Sequence, residues 1–242
     1  MIRCCQFPID QITAPDVAAL LGDGAPEFVW RRYRNEDNIK MDIILRREKP
    51  SDYYAVENLT RQAFWNDTNR PSIHQIPDEH LLVHRLRSAP SFIPELDYVA
   101  EVDGKIVGHI IYSTGYIKDA SGQTHEVLTF GPLSVLPEYQ HQGIGKALLR
   151  HTLALAKQLG YRAVIIFGIP DYYPKVGFRR ADEFGLTTAN GKTFDPFMAY
   201  PLYDGALAGI SGSFHLDPVY ENLTQADALT FDTRFPPTKS PS

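Results

Sequence analysis

Cysteine is nearly absent. The two present, Cys4 and Cys5, are adjacent and close to the N-terminus. Neighbours in a chain cannot staple distant parts of a fold, so no disulfide framework is expected, and a reducing, cytoplasmic setting fits. No apolar run approaches the roughly 18–20 residues that a membrane helix needs. Asp10 and Asp16 stand where an export signal has its apolar stretch, so none is expected. Basic charge is not in excess: 24 Lys and Arg face 29 Asp and Glu, a net charge of −5. Nothing here is built to coat nucleic acid. Internal repeats and metal-type clusters are also missing. His80 and His84 have helical i,i+4 spacing, but Leu81 follows His80 where an H-E-x-x-H zinc motif requires glutamate. They are read as solvated helix side chains, and no metal is expected.

What remains is ordinary globular material, 43% hydrophobic and 22% charged over 242 residues, enough for one large domain or two small ones. Residues 1–40, with Pro8, Pro15, Pro26 and an arginine cluster at 31, 32 and 34, are read as an N-terminal extension, with a fresh start at Met41. Ser51 precedes an apolar pattern at Tyr53, Val56, Leu59 and Ala63, a helix with one buried face. A loop over 66–77 leads to a second helix over 78–87. Strands follow at 98–102, 105–117 and 125–135. The turn Asp103-Gly104 joins the first two, Gly115 marks a bulge, and Gly131-Pro132 interrupts the third. A helix over 143–159 stops at Gly160. The nearly continuous apolar strand 162–167 has the pattern of one covered on both faces. A strand opens at Gly177-Phe178, and another is placed over 198–203. Residues 205–242 are read as a C-terminal extension, with one further strand within 206–216 and a loose, proline-rich tail from Phe235. The fold class is therefore α/β.

The chemistry is concentrated between the 125–135 strand and the helix that follows. The connection reads Gln140, His141, Gln142, Gly143, Ile144, Gly145, Lys146. Two glycines at a helix start let the backbone approach a bulky anion. The first helical N–H groups lack internal partners, and the helix dipole adds positive potential. The loop is a seat for phosphate or diphosphate. It is not a Rossmann turn, because Leu148 stands where the third glycine belongs. Nor is it a P-loop, because Ala147 follows Lys146 and Gln140 replaces the first glycine.

Gln140, Gly143 and Gly145 match the Q/R-x-x-G-x-G/A motif of the GNAT N-acetyltransferases, and Tyr173 to Phe178 is similar to that family's Y-x-x-x-G-F segment. The resemblance spans about residues 42–203, so 41–204 is taken as the domain. It implies a mixed, largely antiparallel sheet with helices on both faces. Two parallel neighbours, here 125–135 and 162–167, splay apart in that sheet. It also implies acetyl-coenzyme A as cosubstrate, with its pantetheine arm pairing along Leu133, Ser134 and Val135 and its diphosphate held by residues 140–146. Tyr173 is then the acid that protonates the departing thiolate, with Tyr172 as its backup. Some family members place a glutamate eleven residues before the first motif position, where this chain has Thr129. His125 or Glu126, acting through water, is the candidate base, and an amine that arrives neutral is equally open. Trp65, Asp67, Tyr112 and Tyr116 are candidate acceptor-site linings. The expected activity is acetyl transfer to a primary amine, with a non-catalytic acyl-coenzyme A sensor and a transferase of longer acyl chains as alternatives. A homodimer is common in the family.

Overall fold

The structure, a computed structural model, describes residues 28–33, 40–65 and 76–237. The elements run β1 (Phe28–Tyr33), β2 (Lys40–Arg47), α1 (Tyr53–Phe64), α2 (Glu79–Leu86), β3 (Tyr98–Val102), β4 (Lys105–Lys118) and β5 (Thr124–Val135). They continue α3 (Ile144–Gln158), β6 (Ala163–Phe167), β7 (Arg179–Arg180), β8 (Leu186–Thr188), β9 (Phe197–Pro201), β10 (Gly212–His215) and α4 (Gln225–Asp232). Strand order is β1-β2-β3-β4-β5-β6-β9-β7. Neighbours along this path are antiparallel except β5 and β6, which are parallel. β10 adds to β4, and β8 pairs parallel with β10. The mixed sheet with a parallel pair is thus present. Asp103 and Gly104 adopt φ of 50° and 76°, as a two-residue hairpin requires.

Period-two burial decides which helix covers which face. Ala100 and Ile110 share an apolar cluster with Ile144, Ala147 and Leu148 of α3. Their chain neighbours Val99 and Ile111 pack instead with Val56 of α1 and Leu82, Val83 and Leu86 of α2. Helices therefore cover opposite faces. Gly108 brings α3 close to β4: a Cβ there would lie 2.9 Å from Ile144 Cγ2 and 3.1 Å from Leu148 Cδ1. Val127, Ile165, Phe197 and Phe214 form a further cluster with Leu207 and Ile210 from the segment between β9 and β10.

Three expectations change. Gly115 marks no bulge, since the β4–β5 register is continuous through it and shifts instead between Ile110 and Tyr112, opposite Gly131-Pro132. Gly115 is bare because the chain at the end of β10 passes over it: a Cβ would meet His215 O at 2.8 Å and the Phe214 ring at 2.9 Å. His80 is not solvated but completely buried. Helix α4 covers it, packing Ala228 and Phe231, with Phe235 beyond, against Leu81, while Arg61 of α1 binds both carboxylate oxygens of Asp232. Phe235, read as the start of a loose tail, is only 6% exposed. Residues 1–27 and 34–39, and the tail beyond 237, lie outside the described residues, while 28–33 pair with β2.

A buried ionic cluster joins β2, β4 and the helical face. Arg87 grips both carboxylate oxygens of Glu48, at 2.9 and 2.6 Å, and reaches Glu57 at 2.8 Å; His109 Nε2 lies 2.8 Å from Asp97. Burial pushes Glu48 up to about 7 and Asp97 up to about 6. It pushes His80, His109 and His151 down to about 4. The imidazoles take up protons on unfolding, so their contribution to stability is whole above the ordinary histidine pKa and is lost as pH falls toward 4. The carboxyls do the reverse, their contribution fading as pH rises through 6 to 7. Three imidazoles outweigh two carboxyls, so the melting temperature should rise from about pH 5 to about pH 6.5 and level near 7. His151→Leu should make that rise shallower in a calorimetric scan. A melting temperature falling across the same interval contradicts this account.

Candidate active site

The site begins where a ladder stops. β5 and β6 share one register pair, Leu128 with Val164. β5 then continues to Val135 without β6, which stays paired with β9 on its other edge from Ala163 through Phe167. On its other side β5 remains bonded to β4: Leu136 N donates to Val107 O at 2.9 Å. In an antiparallel ladder the bonding direction alternates. Ser134 therefore faces β4, and Leu133 and Val135 present their backbone groups to the gap. Pro132, inside the bulge, brings no N–H. The Ser134 hydroxyl donates to Thr60 Oγ1 at 3.1 Å, on the α1 face.

The turn into α3 is held from within. Gln140 Nε2 donates to Val135 O at 3.1 Å and Gln142 Nε2 to Glu138 O at 2.9 Å. His141 and Gly143 take left-handed φ of 58° and 87°. No side chain caps α3, and its first bond runs from Ala147 N to Gly143 O. The N–H groups of Ile144, Gly145 and Lys146 thus have no helical partner, and their dipoles converge as an anion seat. Gly145 faces the gap. A Cβ there would stand 3.5 Å from Tyr172 Oη, 3.6 Å from Val135 Cγ2 and 3.8 Å from Leu133 Cδ2. That is ordinary contact, so protein packing does not require a bare residue at this point.

The two adjacent tyrosines diverge. Tyr172 reaches the anion seat. Tyr173 turns inward, its ring 5.8 Å from Phe130 and 5.5 Å from Phe178, next to the bulge. Burial holds the Tyr173 phenol above its usual range, so it is protonated and can donate. His125 lies at the opposite end of β5, its Nε2 2.9 Å from Asp119 Oδ2. About 25 Å of strand separates it from Leu133. Glu126 is exposed and pairs across strands with Tyr116. Neither is brought to Tyr173. Thr129 is buried beside Ser113, whose hydroxyl meets that of Tyr220 at 2.9 Å. The sequence reading did not find Tyr220, because only the return of the C-terminal segment places it there.

Of the proposed acceptor linings, Tyr112 is excluded from any surface: it is fully buried and hydrogen-bonded to Thr152 at 2.9 Å. Trp65 lies under the Arg61 guanidinium, Tyr116 stacks on His215, and Asp67 is outside the described residues. Glu48, Asp97 and His109 bring potential ligand atoms within 4.8 Å of one another, but Arg87 already places a positive charge on Glu48. No helix among the described residues is long and apolar enough to cross a membrane.

The comparisons agree with this geometry. The model of the acetyltransferase (GNAT) family matches residues 51–178. The uncharacterised N-acetyltransferase YhbS of Escherichia coli K12 is 27% identical over 171 residues, 70% of this chain and 93% of YhbS. The crystal structure of Escherichia coli YhbS in complex with CoA superposes with a TM-score of 0.65 at 26% identity, covering 79% of this chain and 98% of that one. A GNAT acetyltransferase from Brucella melitensis, solved with acetyl-CoA, gives 0.57 at 26% identity over 74% and 97% of the two chains. The chain belongs to the GNAT acetyltransferase family, and it is an acyltransferase.

Gly145→Ala separates a functional glycine from a structural one. Alanine is favoured over glycine in a helix by up to about 1 kcal/mol, and the added methyl meets no clash, so the melting temperature should hold or rise. Affinity for coenzyme A, measured by calorimetry, should fall about ten-fold or more, because the methyl fills the approach to the free N–H groups. Unchanged affinity would show that this cradle is not the site.

Proposed function

We propose that the chain transfers an acetyl group from acetyl-coenzyme A to a primary amine by direct attack, with Tyr173 as the acid. One observation carries this reading. The free N–H groups of α3, the backbone edge at Leu133 and Val135 that no strand among the described residues pairs, and the half-buried Tyr173 side chain follow one another along the gap that opens beyond Leu128. Acetyl-coenzyme A supplies an activated thioester there. The α3 N–H groups hold the diphosphate, and Leu133 and Val135 pair with the amides of the pantetheine arm as an added strand would.

The amine nitrogen attacks the carbonyl carbon, the carbon–sulfur bond breaks, and Tyr173 passes its proton to the sulfur. The amine gives up one proton to solvent, and solvent returns one to the phenolate. Thr129 cannot serve as a base, and His125 is held by Asp119 at the far end of β5. The form that attacks is therefore the neutral fraction of the amine, its ammonium proton having gone to solvent. Its placement supplies most of the rate, since holding the two reactants together removes the entropy of encounter.

Tyr173→Phe should lower turnover about ten-fold or more while coenzyme A binding persists. Thiol release and calorimetry together check this. Unchanged turnover removes Tyr173 from the mechanism.

A further inference from the structure

At the end of β6, beside the gap, stand three exposed apolar side chains that the cofactor site does not use: Phe167, the stacked Phe194 and, two residues on, Ile169. We propose that Phe167, Ile169 and Phe194 form the acceptor's binding shelf. The amine acetylated is then one carried on an apolar aromatic or alkyl group, rather than a polyamine or a polar amino acid. The inference rests on the acetyl-transfer reading above and names its substrate class.

Register places the shelf. Leu128 pairs with Val164, so Phe167 stands level with Gly131, three residues further along each parallel strand. Ile166 packs in the cluster of α3, which turns Phe167 to the other face. The space over Gly131 is open: apart from its chain neighbours, no heavy atom lies within 4 Å of where a Gly131 Cβ would be. Phe167 is 47% exposed, Ile169 62% and Phe194 42%. Single exposed apolar residues are ordinary, but stacked exposed rings with a further apolar side chain two residues along, at the mouth of a site, mark binding. The rings are also supported. Phe167 stacks on Phe194 at 5.8 Å and on the buried Phe197 at 5.2 Å, with the buried Phe214 at 6.3 Å. Such a base keeps the shelf in place before a ligand arrives.

The same backbone segment connects the shelf to the chemistry. Gly168, between Phe167 and Ile169, is the residue against which Tyr173 packs. A Cβ there would lie 2.3 Å from Tyr173 Cδ2, so any side chain would displace the acid. Asp195, beside Phe194, is committed to Arg180, which leaves Asp171 as the acid of these stretches. One carboxylate is too few to recognise a polycation, whereas an apolar group gains by leaving water for the rings.

The test uses the full chain, acetyl-coenzyme A, and 2-phenylethylamine, hexylamine, spermidine and lysine as probes, followed by thiol release. The expected result is kcat/KM about ten-fold or more higher for the first two amines. Phe167→Ala and Ile169→Ser should each raise KM for 2-phenylethylamine by about ten-fold, the loss of one apolar contact, with kcat and coenzyme A affinity little changed. Ile169 is the more exposed of the two positions, so its variant reports even if Phe167→Ala fails to fold. Preference for spermidine or lysine overturns the proposal, as does failure to acetylate all four amines by a chain that binds coenzyme A. So does a variant effect confined to the choice between acetyl- and hexanoyl-coenzyme A, or to dissociation of a dimer in sizing chromatography. If the parent chain gives no heat with coenzyme A, the transfer reading itself fails, and the shelf fails with it.

Discussion

A backbone edge left without its partner is the constraint on which the site depends. Peptide groups inside a sheet are normally bonded on both sides, and leaving them bare in a dry interior costs free energy comparable to a lost hydrogen bond. β5 breaks that pattern after Leu128, where its pairing with β6 ends, while β6 stays paired with β9 on its other edge through Phe167. The open edge is tolerated because it faces a gap that water or a ligand amide can fill. Its other side stays bonded to β4 as far as Leu136, so the strand keeps its position while its amides remain available.

The neighbouring parts support that edge. Gly108 lets α3 lie close on β4, which brings the helix start level with Val135, and the Gln140 amide ties the turn to the same strand. The bulge at Gly131-Pro132 separates two regimes of β5. Before it, Phe130 packs in the core with Tyr173; after it, Leu133 and Val135 line the gap. The two tyrosines illustrate how little sequence distance means here. Tyr172 reaches the anion seat and Tyr173 the interior, because the 3₁₀ turn that begins at Tyr173 sends consecutive side chains in different directions.

The segment after residue 204 is integral to the structure. β10 extends β4, Tyr220 meets Ser113, and α4 closes over α1 and α2 through the Arg61–Asp232 ion pair. That pair has two nearly buried partners, so removing either strands a charge, and its role is to fix where α4 sits. The helical face beneath already holds Arg87 with Glu48 and Glu57. This side of the molecule is therefore assembled from residues far apart in the chain.

Local signals were legible wherever a residue type answers to backbone geometry. The turn at Asp103-Gly104, the α3 start at Gly143 and the strand-breaking Pro132 each follow from allowed φ or a missing N–H, and the motif glycines pointed to the family without coordinates. Distant packing was not legible. Gly115 has the same sequence signature whether it marks a bulge or lies under a crossing strand, and His80 reads as a surface helix residue until α4 covers it. Amino-acid order alone determined the order of the main strands and helices in the central region and the glycine turn that opens α3, because those depend on short-range sterics and spacing. Only the tertiary structure decided which of Tyr172 and Tyr173 turns inward, that His125 and Glu126 stand apart from them, and which rings meet at the mouth of the gap. Those outcomes depend on contacts between residues tens of positions apart, and a linear pattern carries no record of them.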